Sequence, residues 1–504
     1  MVAKTLKGLE AVLADELRAL GADNVEPGRR MVSFEGDLEM LYKANLCCRT
    51  ALRILKPFYT FTASDTDELY DRIKSYDWGA LLTLAKTFSI DTVVNSDCFS
   101  HSRYVTYRVK DAIVDWFVDR FGSDKRPRVR LDDADVRLNV HIQGDTVTLS
   151  LDSSGESLHK RGWREAQTEA PINEVLAAGI ILMSGYRGQR PFLDPMCGSG
   201  TFLVEAAMIA ANINPGVYRK NFSFEHWPDF DAELFERLWN DDSQERPIEH
   251  PIIGADISPA AVAIARRNLR SAGVARYVDL QCKALSQWDE APAAEGIIVT
   301  NPPYGERISA PDMDALYEKI GEKLKRVFTG WEAWIIGYRE EYFRRIGLAP
   351  STKVALLNGA LECQLRQYVI FEGSKREFRA AGGSIKEIKD MERGREDDRR
   401  DRRRDERRER KPFDRERKTF DRDSRFERER KPFERERKPF DRDKRKPFGK
   451  KPYDDEVQDS AAENENPLAS RRNPLALKSL IGRKPTLPPS EGPIMRSRGW
   501  KKKD

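Results

Sequence analysis

Pro191-Phe192-Leu193-Asp194-Pro195-Met196-Cys197-Gly198-Ser199-Gly200-Thr201 has the pattern of a parallel strand turning into its helix. Pro191–Met196 reads as a strand and the alanine-rich run Thr201–Asn212 as a helix, with two glycines at the turn between them. Glycines there let the backbone approach a ligand closely, and parallel sheets bind their ligands at the carboxyl ends of the strands. Two common ligand loops do not fit. A phosphate loop needs a Gly-Lys-Ser/Thr step, and the dinucleotide fingerprint needs a third glycine where Leu203 stands. Asp194, directly before the glycines, would repel a pyrophosphate but attract a cationic amino group.

Outward from this turn, residues from about 165 alternate strands with helices, the pattern of a doubly wound parallel sheet. Pro251–Ile257 is the next strand, followed by a helix with Ser258 as N-cap and Pro259 at its first position. Asp256 ends that strand where an acidic residue can hold a ribose diol, and Ile257 follows it. The interval from Gly200 to Asp256 is longer than the usual ~20 residues and contains the aromatic insert Phe222–Trp239, expected to be a lid or substrate-facing elaboration. Tyr277–Cys282, Gly296–Thr300 and Glu332–Gly337 read as strands and Met313–Phe328 as a helix; Val354–Leu357 and Gln364–Phe371 suit a closing antiparallel pair.

The strand Gly296–Thr300 runs into Asn301-Pro302-Pro303-Tyr304. Asn301 offers a side-chain carbonyl and Pro302 a backbone carbonyl, two acceptors able to take both hydrogens of an –NH2 group. Pro302 and Pro303 lack N–H donors and restrict the backbone, so the acceptors are held in place. Tyr304 supplies a flat face for stacking a base.

The front of the chain has a different texture. Leu6, Leu9, Val12, Leu13, Leu17 and Leu20 recur at helical spacing up to Gly21, and Val25–Phe34 reads as a hairpin turning at Pro27-Gly28. A second αβ unit spans about 61–160. In it Asp65-Thr66-Asp67 caps a helix through Tyr76, Phe88–Val94 is a strand and Arg103–Phe121 a longer helix. Val136–Ile142 and Thr146–Leu151 form a hairpin around Gly144. The basic run Lys125–Arg130 suits either RNA phosphates or a solvated turn.

Charge divides the 504 residues unevenly. Residues 1–374 carry 45 Lys and Arg against 54 Asp and Glu, and residues 375–504 carry 43 against 29, so the positive excess lies entirely in the tail. Units such as Arg430-Lys431-Pro432-Phe433-Glu434-Arg435 repeat there. Proline and dense mixed charge prevent a packed core, so 375–504 reads as disordered. Interleaved Phe413, Phe420, Phe433 and Phe440 give it the means to contact RNA; the alternative is a solubilising linker. The six cysteines form no C-x-x-C pair and have no nearby histidine set, which argues against zinc and disulfides. No run approaches the roughly 18 apolar residues of a membrane span, and the first residues lack a signal-peptide core. The expected location is the cytoplasm.

With these motifs in place, residues 165–374 resemble a class I S-adenosylmethionine-dependent methyltransferase. That resemblance implies a Rossmann-like α/β domain. It makes Asp194, Pro195, Cys197, Gly198, Ser199, Gly200 and Thr201 the methionine-side motif, with no metal. It makes Asp256 and Ile257 the ribose-side residues, and gives Asn301–Tyr304 the role of methylating exocyclic amines, with Asn301 at the edge of the cofactor site. The front resembles a ferredoxin-like segment (1–60) followed by a THUMP RNA-binding domain (61–160). Leu158-His159-Lys160-Arg161-Gly162-Trp163-Arg164, followed by Ala170-Pro171-Ile172-Asn173-Glu174, is similar to that family's junction and cofactor-side motif. Together these features resemble the bacterial 23S rRNA guanine-N2 methyltransferase family. The implied partner is RNA, in 23S rRNA or a pre-ribosomal particle, with tRNA as the alternative substrate. A non-catalytic assembly factor is disfavoured because Asp194, Asp256 and Asn301 are all present. The sequence departs from the pattern at Ala284, where an acid contacting the cofactor's adenine is expected. It also lacks a second glycine motif toward the C-terminus.

Overall fold

The computed structural model describes residues 1–169, 171–304 and 310–373. Its front is one continuous eight-stranded sheet. The strands are β1 (Val2–Lys4), β2 (Asp23–Gly28), β3 (Met31–Glu35), β4 (Arg53–Thr62), β5 (Thr87–Asn95), β6 (Arg128–Val129), β7 (Val136–Gln143) and β8 (Thr146–Asp152), ordered β2-β3-β1-β4-β8-β7-β5-β6. Helices α1 (Glu10–Ala19), α2 (Leu38–Cys47), α3 (Thr66–Ser75) and α4 (Ser102–Phe121) accompany it. β4 joins the ferredoxin-like and THUMP parts, pairing with β1 near Ile54 and with β8 from Leu55 to Thr62. The register shifts between Pro57 and Tyr59, a bulge beside a residue that has no N–H to donate.

The second sheet comprises β9 (Phe192–Asp194), β10 (Ile252–Asp256), β11 (Val278–Cys282), β12 (Gly296–Thr300), β13 (Trp331–Gly337), β14 (Thr352–Asn358) and β15 (Leu361–Val369), ordered β11-β10-β9-β12-β13-β15-β14. The first five strands in that order are parallel, and β14–β15 closes the edge as an antiparallel hairpin. Helices α5 (Glu174–Met183), α6 (Thr201–Ala211), α8 (Pro259–Ser271), α9 (Ala310–Arg326) and α10 (Glu340–Arg345) belong to this half, whereas α7 (Ala232–Trp239) packs into the front's core. Separate apolar cores cover the two faces, one built with α5, α6 and α8 and the other with α9 and α10. This is the class I methyltransferase fold. Its strand order reverses at β9, whose neighbours are β10 and β12, and such a reversal opens the crevice where ligands bind.

Three sequence expectations change. α1 starts at Glu10 rather than Leu6, because Gly8 has φ +93° and its amide donates to the Glu10 carboxylate. Leu9 is freed to pack against Gly179 of α5, where a Cβ would meet its side chain at 2.5 Å. The hairpin turns at Arg29-Arg30, with Arg30 at φ +57°, while Pro27 and Gly28 pair with Val32 and Met31; β2 is an edge strand, where proline is tolerated.

The third change concerns the aromatic insert, which is not a lid. Phe222, Phe224, Trp227 and Phe235 are buried in the front's core. Tyr42 lies 4.6 Å from Phe224, and its hydroxyl accepts from the Asp231 amide. The insert is a clasp joining the two sheets. Arg219, at its start, donates to the carbonyls of Ser154, Glu156, Ser157 and Lys160. Deeper in the joint, Arg161 donates to the Arg49 carbonyl and to Glu205 of α6. The expectations for the tail fall outside the described residues.

Candidate active site

Asp194 is the last residue of β9 and is 1% exposed. Its Oδ1 accepts from the Thr300 hydroxyl at 2.9 Å and the Met196 amide at 3.2 Å. Neither bond uses Oδ2. Burial, helped by the nearby Asp256 carboxylate and opposed by the two hydrogen bonds, pushes Asp194 from 3.8 up to about 7. Through Thr300 this carboxyl ties the glycine loop to the residue that precedes Asn301. A buried carboxyl with one spare oxygen suits a cationic ligand group, which would favour its ionised form.

The loop itself is shaped by backbone conformation. Gly198 and Gly200 have φ of +53° and +79°, values costly for other residues. A Cβ on Gly200 would stand 3.0 Å from that of Ala265 on α8, whereas one on Gly198 would find only Thr168 Oγ1 at 3.9 Å. One glycine therefore permits helix packing and the other leaves open space. Asp256 braces the loop from the neighbouring strand, accepting from the Gly198 amide and the Ser258 amide at 2.9 Å each. Each oxygen keeps a lone pair for a diol. Ile257, the next residue, is 74% exposed.

Not every loop side chain faces the crevice. Ser199 and Thr201 are buried, and their hydroxyls accept from Arg164 at 3.2 and 2.9 Å. Pro195 and Cys197 are also buried, and desolvation pushes the Cys197 thiol well up. These four buried residues shape the loop.

The support behind the loop was only partly legible. Arg164 also pairs with Glu174, the first residue of α5, at 2.7 Å. Asn268 of α8 is fully buried. Its amide donates to the carbonyls of Ala166 and Ser199 at 2.8 and 2.9 Å, and its oxygen accepts from the amides of Glu165 and Ala166. It pins segment 165–166 to the glycine loop. In sequence it is one asparagine among the arginines of an ordinary helix, with no local signal.

Asn301 follows β12 at the switch point. Its Oδ1 is buried and has no hydrogen-bond partner among the described residues. A buried acceptor left unmade costs on the order of 1–3 kcal/mol, so its retention points to a donor that arrives with a ligand. Pro302 is buried and Pro303 exposed. The Tyr304 hydroxyl lies 3.2 Å from Asn358 Nδ2 and 3.8 Å from Cys363 Sγ, both on the β14–β15 hairpin. Burial pushes this phenol up, so the ring stays neutral. On the other side of β10, the Ala284 amide donates to Gln287 Oε1 at 2.8 Å, and the Lys283 ammonium sits 4.0 Å over Trp288. No carboxylate stands at position 284. Among the described residues no group of three or more His, Cys, Asp or Glu is placed to hold a metal ion.

Residues 161–367 match a family described as the RMKL-like methyltransferase domain, residues 1–55 the RlmL ferredoxin-like domain and residues 63–152 the THUMP domain. A Synechocystis sp. protein, named provisionally as an RNA methyltransferase, is 37% identical over 73% of this chain and 96% of its own length. The chain belongs to the THUMP-bearing, RMKL-like methyltransferase family. The ribosomal RNA large subunit methyltransferase K/L of Syntrophotalea carbinolica is 42% identical over 73% of this chain and 53% of its own length. This RMKL-like chain thus spans about half the length of many curated relatives it matches. The crystal structure of SMU.472 complexed with SAH is 33% identical, covers 74% of this chain and 98% of that one, and superposes with a TM-score of 0.66. Among the described residues no helix of this family member is long and apolar enough to cross a membrane.

Proposed function

We propose that this chain transfers a methyl group from S-adenosylmethionine to the exocyclic N2 amine of a guanine in 23S rRNA. The observation that carries the reading is the buried Oδ1 of Asn301 at the switch point, beside the glycine loop, without a hydrogen-bond partner among the described residues. Relatives named as large-subunit rRNA methyltransferases support rRNA as the substrate. Guanine rests on the family resemblance, because an adenine amine would satisfy the same acceptors.

In this reading the division into 1–60, 61–160 and 165–374 is functional, the first two parts holding structured RNA and the third doing the chemistry. The glycine-loop backbone and Asp194 take the methionine end of the cofactor, and Asp256 takes the ribose. Ile257 offers an apolar face to the adenine. The cofactor supplies an activated methyl group, so the protein's main task is alignment. Asn301 Oδ1 and the Pro302 carbonyl accept from the amine and favour a pyramidal nitrogen over one conjugated with the ring. That preference strengthens toward the transition state and so raises the rate. No strong base is needed, because the proton leaves after the nitrogen has become cationic. Tyr304 holds the unstacked base.

The test is methyl transfer in vitro to large-subunit rRNA and to tRNA, followed by nucleoside mass analysis. The expected product is N2-methylguanosine in the rRNA. For Asn301→Ala, transfer should fall at least about 100-fold, the scale for removing a donor or acceptor that stabilises the transition state. Label found only in tRNA, or only as N6-methyladenosine, would overturn the assignment.

A further inference from the structure

At the carboxyl end of β13, beside the strand that carries Asn301, two side chains have no part in the site described so far. β12 and β13 run parallel with Thr300 opposite Ile335. Tyr338, three residues beyond Ile335, therefore stands level with the Asn301–Tyr304 loop. It is 38% exposed, in a region where most large apolar groups are covered. Its ring centroid lies 6.3 Å from that of Tyr304, with the planes at 49°. The Arg339 guanidinium sits 5.3 Å over the Tyr338 ring. Neighbouring arginines are committed: Arg344 and Arg366 to Glu340, and Arg345 to Asp314 and Glu318. Arg339 is exposed and takes part in none of these pairs; its guanidinium also lies 5.9 Å over the Tyr342 ring.

We propose that Tyr338 and Arg339 form the second wall of the substrate crevice, Tyr338 meeting the extruded base and Arg339 a phosphate of the same nucleotide. The proposal rests on the reading of the substrate as RNA. Two rings at 49° make a corner, so a base stacked on one meets the other edge-on, an arrangement aromatic groups favour. Tyr304 is anchored by Asn358 and Cys363, which leaves Tyr338 as the wall open to solvent before the substrate arrives. Arg339 hydrogen-bonds Tyr338, and a guanidinium has five N–H donors, so others remain to grip a phosphate. The alternative is that Tyr338 merely covers the strand end. On that view its ring would be replaceable without effect on RNA turnover.

The experiment compares wild type with Tyr338→Ala, Tyr338→Phe and Arg339→Ala, using rRNA from cells lacking the gene as substrate. Calorimetric titration of S-adenosylhomocysteine serves as the folding control. Tyr338→Ala should lower kcat/KM for RNA at least about tenfold and Tyr338→Phe no more than about threefold, because stacking resides in the ring. Arg339→Ala should raise KM and reduce the slope of log KM against log salt by about 0.7, one phosphate contact. Cofactor affinity should stay within about twofold of wild type in all three, since none belongs to its site. Unchanged kcat/KM in Tyr338→Ala, equal losses in the Ala and Phe variants, or loss of cofactor binding would each overturn the proposal while leaving the assigned activity standing. A wild-type enzyme that methylates no RNA would instead overturn the activity, and this proposal with it.

Discussion

Replacing Asp194 by asparagine should make the protein more stable and a poorer cofactor binder. The Asp194 carboxyl is buried, bonded through Oδ1, and pushed from 3.8 up to about 7. That gap corresponds to about 4 kcal/mol needed to ionise the group inside the folded protein. Below pH 3.8 the carboxyl is protonated in both states and the stabilisation is complete. Between 3.8 and about 7 the unfolded chain ionises while the folded one keeps its proton. Stability therefore falls as pH rises through this window and levels off above it.

A bound ammonium group offsets the ionisation, so cofactor affinity should rise with pH up to about 7 and binding should release up to one proton below it. Asparagine keeps an acceptor for Thr300 and Met196 but cannot ionise. At pH 8, Asp194→Asn should gain about 2–4 kcal/mol in unfolding free energy, less whatever its buried NH2 group loses for want of a partner. It should bind S-adenosylhomocysteine at least about tenfold more weakly, with no pH dependence, having lost a charge-assisted contact. Denaturant unfolding at pH 5.5 and 8, with calorimetry in two buffers of different ionisation enthalpy, measures both effects. Wild-type affinity that ignores pH without proton release, or a variant less stable than wild type at pH 8, would refute the reasoning.

Asn268→Ala removes four hydrogen bonds from a fully buried side chain. It should cost about 3–4 kcal/mol of stability, at roughly 1 kcal/mol per bond, and weaken cofactor binding more than tenfold; denaturant unfolding and titration of the same sample check both. Glu205→Gln keeps a hydrogen bond to Arg161 but leaves a buried guanidinium without its countercharge, so unfolding free energy should fall by about 3 kcal/mol or more. Deleting 375–504 should weaken RNA binding and flatten its salt dependence while leaving cofactor affinity unchanged. Equal RNA affinity at every salt concentration would show the tail to be a linker.

The parallel sheet was legible because its apolar strands end at residues that carry local signals: glycines after β9, Asp256 closing β10 and the prolines after β12. The Ser258 cap and Pro259 likewise mark the start of α8, and the structure places both there. What the sequence hid depends on contacts across distance. β4 was missed because its role is to join two halves of a sheet, and α5 because its apolar residues are buried almost all round and show no stripe. The insert's aromatics look the same in sequence whether they cover a substrate or Tyr42; only the fold decides for Tyr42. In the site, Asp194 and Asp256 announce themselves as the last residues of strands and Asn301 as the residue just after one. Asn268 and Arg164 act on the loop from behind, through bonds between residues 35 to 103 positions apart, and no local pattern encodes that.

The central claim is that Asn301 serves methylation of a guanine amine in large-subunit rRNA. Its most direct test is mass mapping of 23S rRNA and tRNA from a strain lacking the gene, complemented with wild type or Asn301→Ala. One N2-methylguanosine should disappear from 23S rRNA, return with wild type and not return with Asn301→Ala. An unchanged 23S rRNA, with the missing mark in tRNA or nowhere, would contradict it.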